Sequence, residues 1–254
     1  MTLIILNGAN GNMGSKVFDV TEKNSKNFKI VLGIDTNAKN TKYKGTEILN
    51  KWPKTFKADV LIDFSHPDSL EDILNFATFN QMPLVIATTG YNKTQIQKIK
   101  NASEKIPIFF TFNMSLGINL MVNLVTKAYS ILKDNFNIEI VEKHHNQKID
   151  SPSGTALMLA DAINEKANGR FKYVYNRQSV RKKREENEIG IHSIRAGTIV
   201  GEHEVILAGN DEILTISHTA TSKNVFAQGA LKAAEFIKTK KQGLFNMTDI
   251  VRDI

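Results

Sequence analysis

The sequence has no cysteine, no long hydrophobic run, no internal repeat and no low-complexity tract. The missing cysteine excludes disulfides, thiolate nucleophiles and cysteine-ligated zinc or iron–sulfur sites, and it fits a reducing compartment. No apolar stretch approaches the ~20 residues of a membrane span, and the apolar residues 1–6 lack the basic leader of a signal peptide. We therefore expect a soluble, cytoplasmic protein without a membrane partner.

The charge and size of the chain leave several function classes open. The 33 Lys and Arg residues exceed the 26 Asp and Glu residues, which gives a net charge of +7. Nucleic acid, a phosphate-bearing cofactor or a dicarboxylate would all fit this excess. Hydrophobic residues make up 41% of the 254 residues, as in ordinary globular proteins. At ~150 residues per domain, this length predicts one large or two modest domains.

Apolar runs and helical patterns alternate through the first half of the chain. Short strands are predicted at 3–6, 29–34, 59–64, 83–87 and 107–112, with helices at 15–23, 69–80 and 93–105 between them. Strands that alternate with helices indicate βαβ units and a parallel sheet covered on both faces.

The pattern changes after about residue 115. A long apolar helix is predicted at 117–133, a strand at 137–141 and another helix after Pro152. Alternating runs from 188 to 219 indicate a mixed or antiparallel sheet, and a final helix at 224–238 leads into a short tail. The predicted fold class is α/β, with a parallel-sheet domain and a second, α+β domain that contains a mixed sheet.

A glycine-rich turn follows the first predicted strand and precedes the first helix. Gly8, Gly11 and Gly14 permit a tight turn and let the backbone approach a pyrophosphate at the helix N-terminus. The spacing G-x-x-G-x-x-G is one residue longer in its first gap than the common dinucleotide-binding pattern. A simple turn between a strand and a helix is the alternative interpretation.

Asp35 ends the second predicted strand, 21 residues after Gly14. A carboxylate at this position binds the ribose hydroxyls of NAD and repels a 2′-phosphate, which favours NADH. Thr36 could accept a phosphate, and basic residues follow it, so NADPH stays open; these residues are Lys39, Lys42 and Lys44. Without a cofactor, Asp35 would be a turn residue at the end of a strand.

Polar segments follow three further strands, at 64–67, 88–90 and 113–115. In an open parallel sheet the carboxyl ends of the strands line the ligand crevice. His66 precedes Pro67, and we interpret it as a turn residue that shapes this rim rather than as a catalyst.

The densest group of chemically active residues lies at 142–155. His144 and His145 end a predicted strand, where they point to opposite sides and cannot easily share a metal ion, so we predict no metal site. Histidine and lysine suit proton delivery and anion binding, and Lys148 lies in the following loop. A helix starts after Pro152, and its first N–H groups, with a threonine hydroxyl, form a predicted anion site of Ser153, Gly154 and Thr155. A helix cap beside two surface histidines is the alternative.

The segment 142–156, E-K-H-H-N-Q-K-I-D-S-P-S-G-T-A, resembles the signature E-x-H-H-x-x-K-x-D-A-P-S-G-T-A of the dihydrodipicolinate reductase (4-hydroxy-tetrahydrodipicolinate reductase) family. Further similar segments are the glycine turn and residues 63–65, 88–90, 113–117, 195–203 and 218–229. By this resemblance, the chain would reduce 4-hydroxy-tetrahydrodipicolinate (dihydrodipicolinate) to tetrahydrodipicolinate. NADH or NADPH would be the cofactor, and the reaction would belong to bacterial lysine and diaminopimelate biosynthesis.

The resemblance also implies roles for single residues. His144 would be the catalytic acid/base and Lys148 the proton donor. The dicarboxylate would be held by His145, Lys148, Ser153, Gly154 and Thr155. The cofactor would contact Gly8, Ala9, Asn10, Gly11, Asn12, Met13, Asp35, Ala87, Thr88, Thr89, Thr111, Phe112, Asn113 and Met114.

The architecture implied by the resemblance has two domains and four subunits. A Rossmann-like dinucleotide-binding domain would comprise residues 1–114 and 225–254, because the last helix would pack back on it. Residues 115–224 would form the domain that binds the substrate and joins a homotetramer.

Four positions depart from the family pattern. Asn12 replaces a common arginine, which removes one possible partner for a 2′-phosphate, and Ala87 replaces a glycine. Ser151 replaces an alanine, and Lys223 stands where arginine is common. Lysine keeps the charge but loses the bidentate geometry of arginine.

Two other functions compete with the reductase. One is another two-domain NAD-dependent amino-acid dehydrogenase, although such enzymes lack the pairing of His-His-x-x-Lys with Pro-Ser-Gly-Thr. The other is a non-catalytic nucleotide-sensing or nucleic-acid-binding protein, suggested by the basic run between Arg177 and Arg184. Because Glu185 and Glu186 follow and no aromatic residues interleave, this run is more typical of a solvated loop, and we expect no nucleic-acid partner.

Overall fold

Residues 1–38, 41–178 and 180–252 are described by the structure, a computed structural model. The chain divides into two compact units. The first unit is built from two segments, Met1–Ser115 and Lys223–Ile254, and the second is the continuous segment Leu116–Ser222. Which unit binds the nucleotide and which the substrate stays a prediction.

The helices and strands follow in chain order. The first segment contains β1 (Thr2–Asn7), α1 (Asn12–Lys23), β2 (Phe28–Ile34), β3 (Lys42–Tyr43), β4 (Thr46–Leu49), β5 (Val60–Asp63), α2 (Leu70–Phe79), β6 (Leu84–Ile86), α3 (Lys93–Ser103) and β7 (Pro107–Phe110). The second unit contains α4 (Leu116–Leu132), β8 (Asn137–His144), α5 (Gly154–Lys166), β9 (Lys172–Val174), β10 (Glu188–Arg195), β11 (Gly201–Ala208) and β12 (Ile213–Ala220). The returning segment contains α6 (Asn224–Ile237), β13 (Gly243–Phe245) and α7 (Met247–Arg252).

The sheet of the first unit has the strand order β13-β7-β6-β5-β1-β2-β4-β3. All neighbouring strands are parallel except β3 and β4. From β1 the chain continues to one side through β2 and later to the other side through β5. The switch point therefore lies between β1 and β5, and open parallel sheets bind ligands at the carboxyl ends of the strands beside such a point.

The parallel strands are apolar because helices cover both faces of their sheet. Ile4, Ile5 and Leu6 of β1 have no exposed surface. Ile5 packs in a core cluster with residues of α2 such as Ile73. On the opposite face, α1 and α6 contact each other and the strands. The carboxyl ends of the strands are thus the part of this sheet that remains available for a ligand.

The sheet of the second unit is mixed, with the strand order β12-β11-β8-β10-β9. β8, β10 and β9 are parallel, whereas β11 is antiparallel to both of its neighbours. Buried and partly exposed residues alternate along β8 and β11, because α4 and α5 cover one face of the sheet. The other face lacks a helix among the described residues of this unit, and at its edge Ile213 of β12 is 69% exposed.

The predicted fold class is confirmed: a Rossmann-like parallel sheet with helices, and a second unit with a mixed sheet. The predictions fail in detail where elements are short. Residues 42–49 form the hairpin β3–β4, and the predicted tail contains β13 and α7. These three strands have two to four residues each, too few for a recognisable apolar period. None of the described helices is long and apolar enough to cross a membrane.

Candidate active site

The glycine turn brings the N-terminus of α1 close to the strand ends of the first unit. Gly8 has a φ of +78°, and a Cβ on it would lie 2.3 Å from the carbonyl oxygen of Phe64. A Cβ on Gly14 would lie 2.3 Å from the carbonyl oxygen of Gly8. Gly14 lies inside α1, because the helix begins at Asn12 and not at the predicted residue 15.

The first turn of α1 is open to an anion. Gly11 is the N-cap residue and supplies no side chain to bind the N–H groups that follow. Gly11 and Asn12 are exposed, while Ala9 is buried and Asn10 and Met13 are half-buried. The N–H groups at the N-terminus of a 12-residue helix favour a phosphate, and a Cβ on Gly8 or Gly14 would collide with the backbone of this turn. These residues fit a dinucleotide.

Asp35 follows β2 and lies against this turn. Its carboxylate accepts hydrogen bonds from the N–H of Asn10 (2.9 Å) and the N–H of Asn37 (3.1 Å). Thr36 beside it is exposed. Lys44 binds Asp19 and Glu22, both at 2.7 Å, so this ammonium is already engaged by two carboxylates.

The remaining basic candidates of this region differ in their status. Lys42, at the start of β3, is exposed. Lys39 lies outside the described residues.

Asp63 ends β5 and joins the ends of three strands. Its carboxylate accepts hydrogen bonds from Asn7 Nδ2 (2.8 Å), Ser65 Oγ (2.6 Å) and the more distant Tyr91 hydroxyl (3.4 Å). Its side chain is completely buried, and this burial raises its pKa against the lowering effect of the hydrogen bonds. Residues 64–67 were predicted to line the ligand crevice, but the role of Asp63 in linking these strand ends was not predicted.

An open cavity of about 690 Å³ lies along these strand ends. Among the residues that line it are Met13, Phe64, Ser65, Ala87, Thr88 and Thr89. Four of the predicted cofactor contacts, Met13 of α1 and Ala87, Thr88 and Thr89 after β6, are therefore brought together. His66 also borders the cavity, where its Nδ1 accepts a hydrogen bond from the N–H of Asp68 (3.3 Å) as a cap of the following turn.

The predicted contacts after β7 form a turn of their own. Asn113 accepts a hydrogen bond from the N–H of Ser115 (2.8 Å), and Thr111 Oγ1 donates to the Asn113 carbonyl (3.2 Å). Met114 is buried against Gly229 of α6, where a Cβ would have no room beside the Met114 carbonyl. Phe112 is 61% exposed. None of these four lines the cavity above, although they follow a strand of the same sheet.

In the second unit, β8 ends at His144, and His145 begins the loop. The prediction that both histidines end the strand is therefore wrong at His145, whose carbonyl turns to accept the N–H of Lys148 (3.1 Å). His144 is buried and His145 is half-exposed. Lys148 binds both carboxylate oxygens of Asp150, at 2.8 and 2.9 Å, which lowers the pKa of Asp150.

His144 is held in a cluster of charged and polar groups. Its Nδ1 lies 2.6 Å from Glu142 Oε2. Burial lowers the pKa of His144, and the positive charges of Lys148 and Arg195 add to this effect against the opposing hydrogen bond to Glu142. The lowered pKa leaves the imidazole neutral near pH 7.

Ser153 does not have the free N–H group that the sequence predicted. Its N–H donates to Glu142 Oε1 (3.1 Å), and its hydroxyl oxygen accepts the N–H of Ala156 (3.1 Å) as the N-cap of α5. The residue is 2% exposed, so it supports the helix start rather than offering a donor to a ligand. Gly154 is exposed and Thr155 half-exposed in the first turn, as an anion site requires.

Three residues around this cluster were missed as functional candidates. Glu142 is fully buried, Arg195 binds it with two hydrogen bonds, and His203 lies with its ring edge-on to His144, 5.2 Å between centroids. Burial lowers the pKa of His203 to about 4, and the neighbouring His144 adds to the shift. The available signal was alternation: Glu142 occupies an inward position of β8, two residues after the buried Ile140.

Two arginines of the basic run pair with carboxylates of the second unit. Arg177 binds Glu188 at 2.6 Å, and Arg184 binds Glu139 at 3.0 Å. Arginines that already pair with carboxylates of their own chain are poor phosphate contacts, which disfavours a nucleic-acid site here. Among the residues that the structure describes, no group of three His, Asp or Glu side chains is arranged to hold a metal ion.

Comparisons with known proteins agree over the whole chain. The family model "Dihydrodipicolinate reductase, N-terminus" matches residues 2–114, and the model for the C-terminus matches residues 117–251. The 4-hydroxy-tetrahydrodipicolinate reductases of Caldanaerobacter subterraneus subsp. tengcongensis and Clostridium novyi are each 46% identical to this chain over 252 residues. Each alignment covers 99% of this chain and 99% of the relative.

Solved structures of lower identity share the fold. A dipicolinate-bound dihydrodipicolinate reductase from Paenisporosarcina sp. TG-14 superposes with a TM-score of 0.75 at 23% identity, covering 97% of both chains. An aspartate dehydrogenase from Thermotoga maritima gives a TM-score of 0.52 at 13% identity, covering 94% of this chain and 97% of that one. The fold alone thus extends to amino-acid dehydrogenases, so the choice between the two activities depends on the sequence relationship and on the site.

Proposed function

This chain belongs to the dihydrodipicolinate reductase family, and from that premise we propose how its residues divide the reaction. It is an NAD(P)H-dependent oxidoreductase that reduces 4-hydroxy-tetrahydrodipicolinate to tetrahydrodipicolinate in lysine and diaminopimelate biosynthesis. The assignment of the chemistry depends on one cluster of side chains beside the N-terminus of α5. In this cluster Lys148 lies near His144, whose imidazole is neutral and buried.

The first unit binds the cofactor. The first turn of α1, where Gly8 and Gly14 let the backbone approach, would hold the pyrophosphate. Asp35 binds the adenosine ribose, and its negative charge favours NADH over NADPH. Asn12 adds no cation for a 2′-phosphate, and Lys44 is held by two carboxylates, which supports the same preference. The cavity bordered by Thr88 and Thr89 would receive the nicotinamide.

The second unit binds the dicarboxylate and handles the proton. Gly154 and Thr155 hold one substrate carboxylate at the start of α5, where the helix dipole contributes roughly 0.3–1 kcal/mol. His145 and Lys148 would donate hydrogen bonds from the loop, whereas Ser153 acts indirectly, as the cap of the helix. Each of these groups would help to bind a substrate that carries two negative charges.

The cofactor supplies a hydride when it is bound. Lys148 donates the proton that the electron-rich product of hydride transfer requires, and Asp150 keeps its ammonium in place. His144 accepts or returns a proton at Nε2, because its Nδ1 proton faces Glu142. General acid–base groups of this kind typically contribute about 10²–10⁴-fold to the rate.

The assembly and location follow the same proposal. We expect a homotetramer joined through the second unit, supported by the sheet face that lacks a helix there and by the exposed Ile213. The reaction takes place in the cytoplasm, and neither a membrane nor a nucleic acid is a partner.

The test is NADH oxidation by the purified protein with freshly generated dihydrodipicolinate, run beside NADPH. We expect turnover with both cofactors and a higher kcat/KM with NADH. A higher kcat/KM with NADPH would contradict the role of Asp35. No oxidation of either cofactor, together with reduction of NAD⁺ by an amino acid, would favour the amino-acid dehydrogenase instead.

A further inference from the structure

The carboxylate of Glu142 has more hydrogen-bond partners than a single ion pair with an arginine would give it. Oε2 lies 2.6 Å from His144 Nδ1 and accepts a hydrogen bond from Arg195 Nη1 (2.8 Å). Oε1 accepts hydrogen bonds from Arg195 Nη2 (2.7 Å) and the N–H of Ser153 (3.1 Å). A carboxylate has about four acceptor positions, so this one is saturated.

The distribution of these bonds is informative. Arg195 contacts both oxygens and by itself neutralises the buried charge. The two remaining bonds go to two separate parts of the predicted site: one to the imidazole of His144, and one to the residue that caps α5. A carboxylate retained only for stability would have no need of these particular partners.

Arg195 extends the same connection to the lysine loop. Its Nη2 also donates to the carbonyl oxygen of Asp150 (2.7 Å), and the side chain of Asp150 binds Lys148. A backbone hydrogen bond from the N–H of Ala196 to the His144 carbonyl (2.9 Å) fixes the two strand ends beside each other. The pair Glu142–Arg195 thus contacts or adjoins each element that the reaction uses in this unit.

We propose that Glu142, paired with Arg195, is a positioning residue that sets the tautomer of His144 and the first turn of α5 together. A proton on Nδ1 leaves Nε2 as the acceptor, and the same carboxylate holds the helix that receives the substrate. The role in catalysis rests on the proposed function, whereas the tautomer itself does not.

Among the residues that the structure describes, Glu142 is the hydrogen-bond partner found for His144 Nδ1. The charged and titratable groups near the ring are Glu142 on β8, Arg195 on β10, His203 on β11 and Lys148 in the loop. His203 is neutral near pH 7 because its pKa is about 4, and its Nε2 is engaged with Ser153 Oγ (2.9 Å). Gly201 borders the other side of the ring, where a Cβ would lie 3.1 Å from Nε2.

The first experiment needs neither substrate nor cofactor. Long-range ¹H–¹⁵N NMR of the full chain at pH 7 distinguishes the two imidazole tautomers, and the spectrum of His144→Gln identifies the resonances of His144. We expect the proton on Nδ1. A proton on Nε2 in the wild-type protein would overturn the proposal, whatever the activity of the enzyme.

The second experiment compares Glu142→Gln with Glu188→Gln. Glu188 is a matched control, because it is a buried carboxylate of the same unit that binds an arginine, Arg177 Nη1 at 2.6 Å, and it contacts no predicted catalytic group. For Glu142→Gln we expect a mixed or reversed tautomer, a kcat lower by about 10²-fold, a raised KM for the dicarboxylate and an unchanged Kd for NADH. For Glu188→Gln we expect the wild-type tautomer and kcat.

Glu142→Asp keeps the charge and serves where Glu142→Gln does not fold. It should retain the Nδ1 tautomer in part and recover a fraction of kcat. If the glutamine variant, or the aspartate variant in its place, matches Glu188→Gln in tautomer, kcat and KM, then Glu142 is only structural and the proposal is wrong. If the tautomer responds but no variant or wild-type protein reduces the substrate, the proposed function fails and the tautomer control stands.

Discussion

Asp63 in the first unit and Glu142 in the second are both fully buried carboxylates near the carboxyl end of a strand, but their partners differ in kind. Asp63 is surrounded by neutral donors, namely an amide and hydroxyl groups, and burial raises its pKa. Burial acts on Glu142 in the same direction, but hydrogen bonds from Arg195 and His144 outweigh it and lower the pKa to about 2.

This difference matches what each unit is proposed to hold. The hydrogen-bond partners of Asp63 are uncharged, and none of them brings a cation to the strand ends. A dicarboxylate needs positive charge, and Arg195 and Lys148 are gathered around Glu142. In the proposed function, one buried carboxylate organises neutral groups beside the cofactor, while the other holds cations in place for the anionic substrate.

The largest effect is expected for a substitution that removes a cation from the second unit. Lys148→Ala should lower kcat by about 10²–10⁴-fold and leave the Kd of NADH unchanged, because the lysine is proposed to act on the substrate alone. Steady-state NADH oxidation and NADH fluorescence titration measure the two quantities. Lys98→Ala is the matched control, since Lys98 also binds one carboxylate, Glu71, at 2.8 Å. Equal kcat values for the two variants would remove Lys148 from the mechanism.

The second effect concerns stability. Arg195→Met leaves the charge of Glu142 buried without its cation, which should cost about 3–5 kcal/mol at pH 7. In the wild type the pKa of Glu142 is lowered, so its contribution to stability is present above its unfolded pKa and is lost as the pH falls toward 2. In the variant, protonation of Glu142 removes the unpaired buried charge. The free energy of unfolding of the variant should therefore approach that of the wild type as the pH falls. Urea unfolding at pH 7 and pH 4 measures the free energy of unfolding of both proteins. The same difference between them at both pH values would contradict the prediction.

The smallest effect is expected for the carboxylate with neutral partners. Asp63→Asn should change the free energy of unfolding by no more than about 1 kcal/mol. Three donors already converge on Oδ1, which an amide oxygen can replace, and the new amide group can donate to the Tyr91 hydroxyl.

The pH dependence of this variant sharpens the test. The raised pKa of Asp63 means that the wild type gains stability from this group as the pH falls through that pKa, and Asp63→Asn should lose this gain. A loss at pH 7 as large as that of Arg195→Met would show that the two carboxylates are equivalent after all.

The sequence predicted the elements whose signals are local and long. Continuous apolar runs such as residues 3–6 indicated strands buried on both faces, and the spacing of Gly8, Gly11 and Gly14 indicated a close approach of the backbone. The hairpin at 42–49 and the strand β13 were missed, because such short strands bury too few residues to show a period.

The connections within the candidate site could not be predicted in the same way. The N–H of Ser153 was expected to be free, yet its partner lies eleven residues earlier, on a strand. Arg195 and Glu142 are 53 residues apart and meet only because β10 pairs with β8 in register. Local patterns identify which side chains are chemically active, whereas strand pairing decides which of them share a proton or a charge.

The interrupted sequence of the first unit also sets the order in which the protein is completed during synthesis. α6 and β13, which pack on and extend the sheet begun by β1, are translated after the whole of the second unit. The second unit is continuous in sequence and can fold while the chain is still attached to the ribosome. The unit whose residues emerge first is therefore the one that is finished last.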